Sequence, residues 1–249
     1  MAGDDGRAQV QLDEDTVARR RRDLGEDHPD TLAAANGLAI SLRAVGGYPG
    51  ALAPASSLAT ISRHTGEFRA ARELAEDTLA RRRRVLGEDH PDTLASAKGL
   101  AVSLRATGDY RAARELGEDT LARRRRVLGE DHPDTLASAD NLAMILGRVG
   151  EVRAARELGE DTLARRRRVL GEDHPDTLTS AYILAAQLGE LGEVRAAREL
   201  AEDTLARRRR VLGDDHPDTG ASASLAYFLR APRMLLKTIS WASRRRRAG

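Results

Sequence analysis

The segment VLGEDHPDTL, Val85 to Leu94, returns unchanged at Val127 to Leu136 and at Val169 to Leu178. A variant, DLGEDHPDTL, occupies Asp23 to Leu32, and another, VLGDDHPDTG, occupies Val211 to Gly220. His90, His132, His174 and His216 are each 42 residues apart, which defines three full units at 85–126, 127–168 and 169–210. Self-similarity at such a period marks a stacked architecture, in which each unit buries its apolar face only against its neighbours.

The decapeptide reads as a stop, a turn and a start. Gly87 follows RRRRVL and is placed to end a helix with a left-handed residue. Pro91 suits the first position of the next helix, where its missing N–H costs nothing. His90 then falls at the N-cap, and Asp92 puts negative charge at the positive end of the helix dipole. The first helix of the unit, about 91–107, carries Leu94, Ala97, Leu100, Ala101 and Leu104 at helical spacing. Gly108 interrupts it. The second helix, about 109–128, carries Tyr110, Ala113, Leu116, Leu121, Val127 and Leu128. Helices alternating with short turns predict stacked antiparallel hairpins.

The string GLAVSLRATGDYRAARELGEDTLARRRRVLGEDHP resembles a tetratricopeptide repeat of the 42-residue kinesin-light-chain type. Leu100-Ala101, Gly108-Asp109-Tyr110, Ala113, Leu121 and the closing Leu128-Gly129 to His132-Pro133 carry the resemblance, which extends over roughly 8–230. Thr120, Arg123, Val152 and Val194 depart from the family pattern. The resemblance implies an all-α fold, a right-handed α-α superhelix built as a solenoid of antiparallel helix pairs. It also implies that the first helices line a concave groove that receives peptides.

The ends and one interruption divide the chain further. LDEDTVARRRR at 12–22 matches the tail of a second helix, so 1–22 is expected to be an N-terminal half-repeat helix. Such an opening suggests a fragment or a shortened relative, since in bacteria these arrays adjoin a nucleotide-binding signalling module, as the resemblance implies. His28 and His90 are 62 residues apart, 22 short of two periods. The region 23–84 is therefore expected to be an irregular, shortened repeat lacking one second helix and its joint. SLATISRHTGEFRAAREL at 57–74 would resume at a first helix. Pro49 and Pro54 predict a kink or weakly packed turn at about 46–56. Three regular repeats fill 85–212. The remainder, 213–249, reads as a degenerate capping half-repeat with an Arg-rich tail. The sharper alternative for APRMLLKTISWASRRRRAG is an amphipathic membrane-surface segment.

Composition narrows the chemistry. The chain has no Cys, which excludes disulfides, thiolate metal sites and a Cys nucleophile. The start lacks an apolar leader, and no run approaches the roughly 18 apolar residues of a spanning helix. A cytoplasmic protein without a membrane span is expected. No phosphate loop, dinucleotide fingerprint, H-E-x-x-H or nucleophile elbow is present. The recurring acid pairs, such as Glu118-Asp119, stand beside arginines and make poor general acids. The repeated histidines lie on helices expected to pack at about 8–10 Å, too far apart to share an ion with 2.0–2.1 Å bonds. No catalytic, cofactor-binding or metal residue is assigned.

Six arginine tetrads, at 19–22, 81–84, 123–126, 165–168, 207–210 and 244–247, raise a polyanion surface as the alternative function, for nucleic acid or an anionic membrane. Charge balance argues against nucleic acid. Unit 85–126 holds eight basic and seven acidic side chains, and the whole chain is only +2. Asp119 and Arg123 are spaced for an i,i+4 pair. The tetrads are expected to be solvated helix ends and inter-repeat salt bridges.

The units differ mainly in their first helices. Between 85–126 and 127–168 there are nine differences, all between 98 and 110, while 111–126 and 153–168 are identical. Lys98, Asp140 and Tyr182 share one position; Gly99, Asn141 and Ile183 share the next. Val102, Met144 and Ala186 share another, as do Ala106, Arg148 and Glu190. Positions 98, 102, 105 and 106 follow i, i+4, i+7, i+8 and form one face away from the Leu94, Leu100 and Leu104 core. Drift after duplication and diversification of a binding groove both produce that pattern. The groove reading assigns Lys98, Val102, Arg105, Asp140, Asn141, Met144, Arg148, Tyr182, Ala186 and Glu190 to a peptide-binding face. The expected partner is a protein or peptide segment of mixed polarity, with the array acting as a scaffold in bacterial signalling or regulation.

Overall fold

The computed structural model describes residues 2–45 and 58–230. Ten α-helices lie among the described residues: α1 Ala2–Leu24, α2 Pro29–Val45, α3 Leu58–Leu86, α4 Pro91–Ala106, α5 Tyr110–Leu128, α6 Pro133–Val149, α7 Val152–Leu170, α8 Pro175–Glu190, α9 Val194–Leu212 and α10 Pro217–Arg230. The chain forms two compact units, Met1–Ile145 and Leu146–Gly249, with the boundary inside α6. Each is an all-α stack of helix pairs. In the first, every helix from α1 to α4 packs on its successor, and α2 also touches α4. In the second, α7 packs on α8, α8 on α9 and α9 on α10, while α8 touches α10.

The repeated decapeptide is the device that makes these pairs. Gly129 ends α5 with φ +89° and ψ 163°, and Gly171 ends α7 in the same way. This is an extended conformation on the positive-φ side, not the left-handed helical one expected, and only glycine enters it without strain. Three residues later the chain starts again. His90 and His174 are extended N-cap residues, and the Nδ1 atom of each accepts the N–H of the second following residue, Asp92 or Asp176, at 3.2 Å. His28, His132 and His216 make the same bond. One otherwise unpaired donor of each first turn is satisfied. The His-Pro-Asp segment is therefore a helix start repeated five times.

Leu and Ala supply the interior, as the scarcity of aromatics requires. In the first unit, Ala75 and Leu79 of α3, Leu100, Ala101 and Leu104 of α4, and Ala113 of α5 form one buried cluster that includes Ile145. In the second, Leu163 of α7, Leu184, Ala185 and Leu188 of α8, and Ala197 and Ala201 of α9 form its counterpart. Small residues let the backbones approach. A Cβ on Gly117 would meet Leu142 Cδ1 at 3.4 Å, so α5 lies directly on α6.

The 23–84 region differs from its expected organisation. The first helix and turn anticipated in 57–74 do not form. Instead α3 runs unbroken for 29 residues through Gly66 and packs between α2 and α4. A lone glycine costs a helix only about 1 kcal/mol, which packing along a long helix outweighs. Asp27 binds Arg81 and Arg84 just as Asp89 binds Arg123 and Arg126. Thus α2 and the later part of α3 are the two halves of one unit. The 62-residue spacing exceeds one period by 20 residues. The break expected at 46–56 and the tail from 231 onward lie outside the described residues.

Candidate functional site

Among the described residues, each arginine tetrad sits at the end of a second helix, where successive side chains turn by about 100° and meet different surroundings. The first arginine joins a cluster of acids. Arg123 Nε donates to Asp119 at 2.9 Å, and its Nη1 donates to Asp89 of the preceding joint at 3.0 Å. The fourth closes on the same acid, Arg126 Nη2 donating to Asp89 Oδ2 at 2.6 Å. In the second unit Arg207 and Arg210 hold Asp173 in the same grip, at 2.9 and 2.7 Å. Hydrogen bonds from Arg123 and Arg207 are the main reason the Asp89 and Asp173 carboxyls ionise below the usual carboxylate range.

In the tetrads at 81–84, 123–126, 165–168 and 207–210 the second arginine is buried, contrary to the expectation of solvated helix ends. Arg124 is 2% exposed. Its Nη1 donates to the carbonyl oxygen of Asp134 at 2.7 Å and to Ser138 Oγ at 2.9 Å, both on α6. Arg82 does the same to Asp92 and Ser96, and Arg208 to Asp218 and Ser222. Burial pushes the pKa of all three guanidinium groups down. The third position varies in its company: Arg83 reaches Glu88 and Arg209 reaches Asp214, while Arg125 and Arg167 are exposed.

The faces of the first helices carry the residues singled out by variation. In the first unit, Lys98, Val102 and Arg105 of α4 and Met144 of α6 are half-buried. Asp140 and Asn141 are not exposed as expected; they are 5% and 4% accessible. The reason is that neighbouring first helices lie side by side. A Cβ on Gly99 of α4 would stand 3.7 Å from Asn36 Oδ1 of α2. Asn36 occupies the Lys98 position of its own unit, so the face begins one repeat earlier than the sequence reading placed it. Asn141 Oδ1 is buried without a hydrogen-bond partner.

In the second unit, Tyr182 and Ala186 of α8 are half-buried, and Glu190 is exposed, as is Arg148 near the end of α6. Glu190 Oε2 lies 3.6 Å from where a Cβ on Gly147 would stand. Tyr182 is engaged from behind, with the Arg208 guanidinium carbon 5.4 Å from its ring centroid. Among the described residues, no group of three or more His, Asp or Glu is placed to hold a metal ion, and no helix is long and apolar enough to cross a membrane.

Sequence reasoning missed the buried arginines and Gln187. The latter is 4% exposed, and neither of its amide atoms has a hydrogen-bond partner. Its position in the other copies offered a signal, since Ile145 stands there and is fully buried.

Known proteins now add to this geometry. Family models described as tetratricopeptide repeat match residues 51–126, 135–176 and 177–218. Two solved structures of a Podosopora anserina protein, described as a kinesin light chain with nearly identical repeats, are 30% identical to the chain. One, a point variant, covers 82% of this chain and 87% of its own, with a TM-score of 0.62. The other covers 82% and 88%, with a TM-score of 0.60. BtubC (BKLC) from P. vanneervenii is 21% identical over 90% of this chain and 82% of its own, with a TM-score of 0.66, a likeness of fold. Among curated proteins, none matches.

Proposed function

Because the chain belongs to the tetratricopeptide repeat proteins of the kinesin-light-chain type, a family of protein-binding scaffolds, we propose that the first-helix faces of its units bind an extended peptide segment of mixed polarity in a regulatory assembly. The observation that carries this reading is the contrast between the two helices of each unit. The second helices repeat almost letter for letter, while the first helices present Lys98, Val102 and Met144 in one unit and Arg148, Tyr182 and Glu190 in the other. The unpartnered Asn141 Oδ1 adds support, because a peptide N–H is the donor that such an oxygen accepts. The rival polyanion surface is disfavoured by the ion pairs and buried hydrogen bonds that already occupy most tetrad arginines.

The test is selection of linear peptides from a displayed random library on the full chain, followed by titration against two paired variants. Lys98→Glu with Met144→Ala alters the first unit, and Arg148→Ala with Tyr182→Ala alters the second. A selected peptide is expected to lose about tenfold or more in affinity for at least one pair, the scale of a contact residue removed. Unchanged affinity for both pairs, with both folded by circular dichroism, removes the first-helix faces from consideration.

A further inference from the structure

The second helices repeat even where packing does not require it. The buried stripe of α5 is Ala113, Gly117, Thr120, Leu121 and Arg124. On the opposite side a row of Arg111, Glu115, Glu118, Ala122 and Arg125 is exposed along its whole length. In α7 the same row is Arg153, Glu157, Glu160, Ala164 and Arg167, again exposed. Helices α3 and α9 repeat it letter for letter, and α1 departs from it only at Gln11. An exposed side chain away from special features changes at little cost to stability. The first-helix faces did change, so the outward row answers to something beyond its own unit. Two of the rows also have charge to offer. Arg125 and Arg167 have no ion pair among the described residues, whereas Arg83 and Arg209 are taken by Glu88 and Asp214. Glu118 and Glu160 accept from Arg114 and Arg156 of their own helices at 2.7 and 2.8 Å, and a carboxylate has lone pairs for further donors.

We propose that a second copy of this chain docks on the α5 and α7 rows, second helix against second helix, antiparallel and crossing at the alanine. The row is complementary to itself in that arrangement. Glu118 and Arg125 stand on either side of Ala122, four residues before it and three after. A two-fold axis at Ala122 therefore brings Glu118 of each copy within one residue's rise, about 1.5 Å, of Arg125 of the other. Parallel pairing would instead set carboxylate against carboxylate. Alanine at the crossing lets the helix axes approach to about 8 Å, the close end of the packing range. Ala164, Glu160 and Arg167 offer the same contact on α7. A single exposed ion pair contributes little, but every crossing supplies it twice, and the row is present in both units. The first-helix faces take no part.

Sedimentation equilibrium of the full chain is the test, and a monomer–dimer equilibrium is the expected result. Raising salt from about 0.05 M to about 0.5 M should weaken the dimer about tenfold or more, because the contact is made by exposed charges. Two charge-reversed chains locate it. Glu118→Arg with Glu160→Arg makes the rows all basic around the alanines, and Arg125→Glu with Arg167→Glu makes them all acidic. Each chain alone should be monomeric while its circular dichroism stays that of wild type. Mixed in equal amounts they should form a dimer again, since every carboxylate then meets a guanidinium of the other chain. A wild-type chain that is monomeric at every concentration overturns the proposal. A dimer that persists in both reversed chains overturns it too, by assigning the contact to another surface, as does a mixture that stays monomeric.

Discussion

Replacing Arg124 by alanine tests the assignment of different environments to identical neighbours. Its guanidinium makes two hydrogen bonds, to the Asp134 carbonyl and Ser138 Oγ. Truncation removes both bonds, worth about 1.5–3 kcal/mol each because the donor is charged. Loss of the methylene stem adds about 0.8 kcal/mol per group. Relief of the desolvated charge offsets several kcal/mol of this. The net expectation is a loss of about 3 kcal/mol. Arg124→Met keeps the stem and removes the charge, so a smaller loss of about 1–2 kcal/mol is expected, since a well-packed hydrophobe replaces a buried ion with little penalty. Arg125→Ala, one residue along and exposed, should stay within about 0.5 kcal/mol of wild type. Urea titration followed by circular dichroism separates these outcomes, because an m value of about 1–3 kcal/mol/M turns the Arg124→Ala loss into a midpoint shift of about 1–3 M. Equal midpoints for Arg124→Ala and Arg125→Ala would refute the reasoning and return the tetrad to a uniform solvated patch.

Three further outcomes follow from the same geometry. Gln187→Ile restores the residue found one repeat earlier at Ile145 and removes two unpaired buried amide atoms, so a gain of about 1–2 kcal/mol in urea is expected; no gain would mean that the amide is satisfied in solution. Gly159→Ala brings a Cβ to 2.8 Å from Gln187 Oε1, so it should be tolerated better in combination with Gln187→Ile than alone, as a double-mutant cycle would show. The Asp89 carboxyl ionises below its usual range, so its contribution is present above the unfolded value of about 3.9 and fades as pH falls through the folded one. Asp89→Asn should therefore melt below wild type near neutral pH, and the gap should close under strong acid; a gap independent of pH would contradict the Arg123 and Arg126 clasp.

Much of the architecture was legible in the letters. Gly87, His90 and Pro91 announced a stop and a start, and the helices begin and end within a few residues of the expected places. The hairpin turn at Gly108 was equally plain, with φ +87°. The same Thr-Gly-acid-aromatic pattern at Thr65 to Phe68 misled, because a glycine permits a reversal without compelling one, and there α3 runs straight on. Four consecutive arginines look alike in sequence. Their fates separate only through the angular step of the helix and the partners on the adjoining turn. Asp140 and Asn141 were placed on the right helix, but their burial depends on the lateral closeness of neighbouring first helices. A one-dimensional pattern carries no measure of that distance.

The uniform joint has a consequence for how such a chain changes over generations. Residues 111–126 and 153–168 are identical, and each ends in a tetrad whose second arginine seats itself in the unit that comes next. A genetic crossover between these stretches inserts or deletes one 42-residue block in frame. Every acid still meets its arginines, and each buried guanidinium still finds a carbonyl and a serine. Copy number is thereby free to drift without a folding penalty at the seam, while each exchange shuffles the order of the divergent first helices.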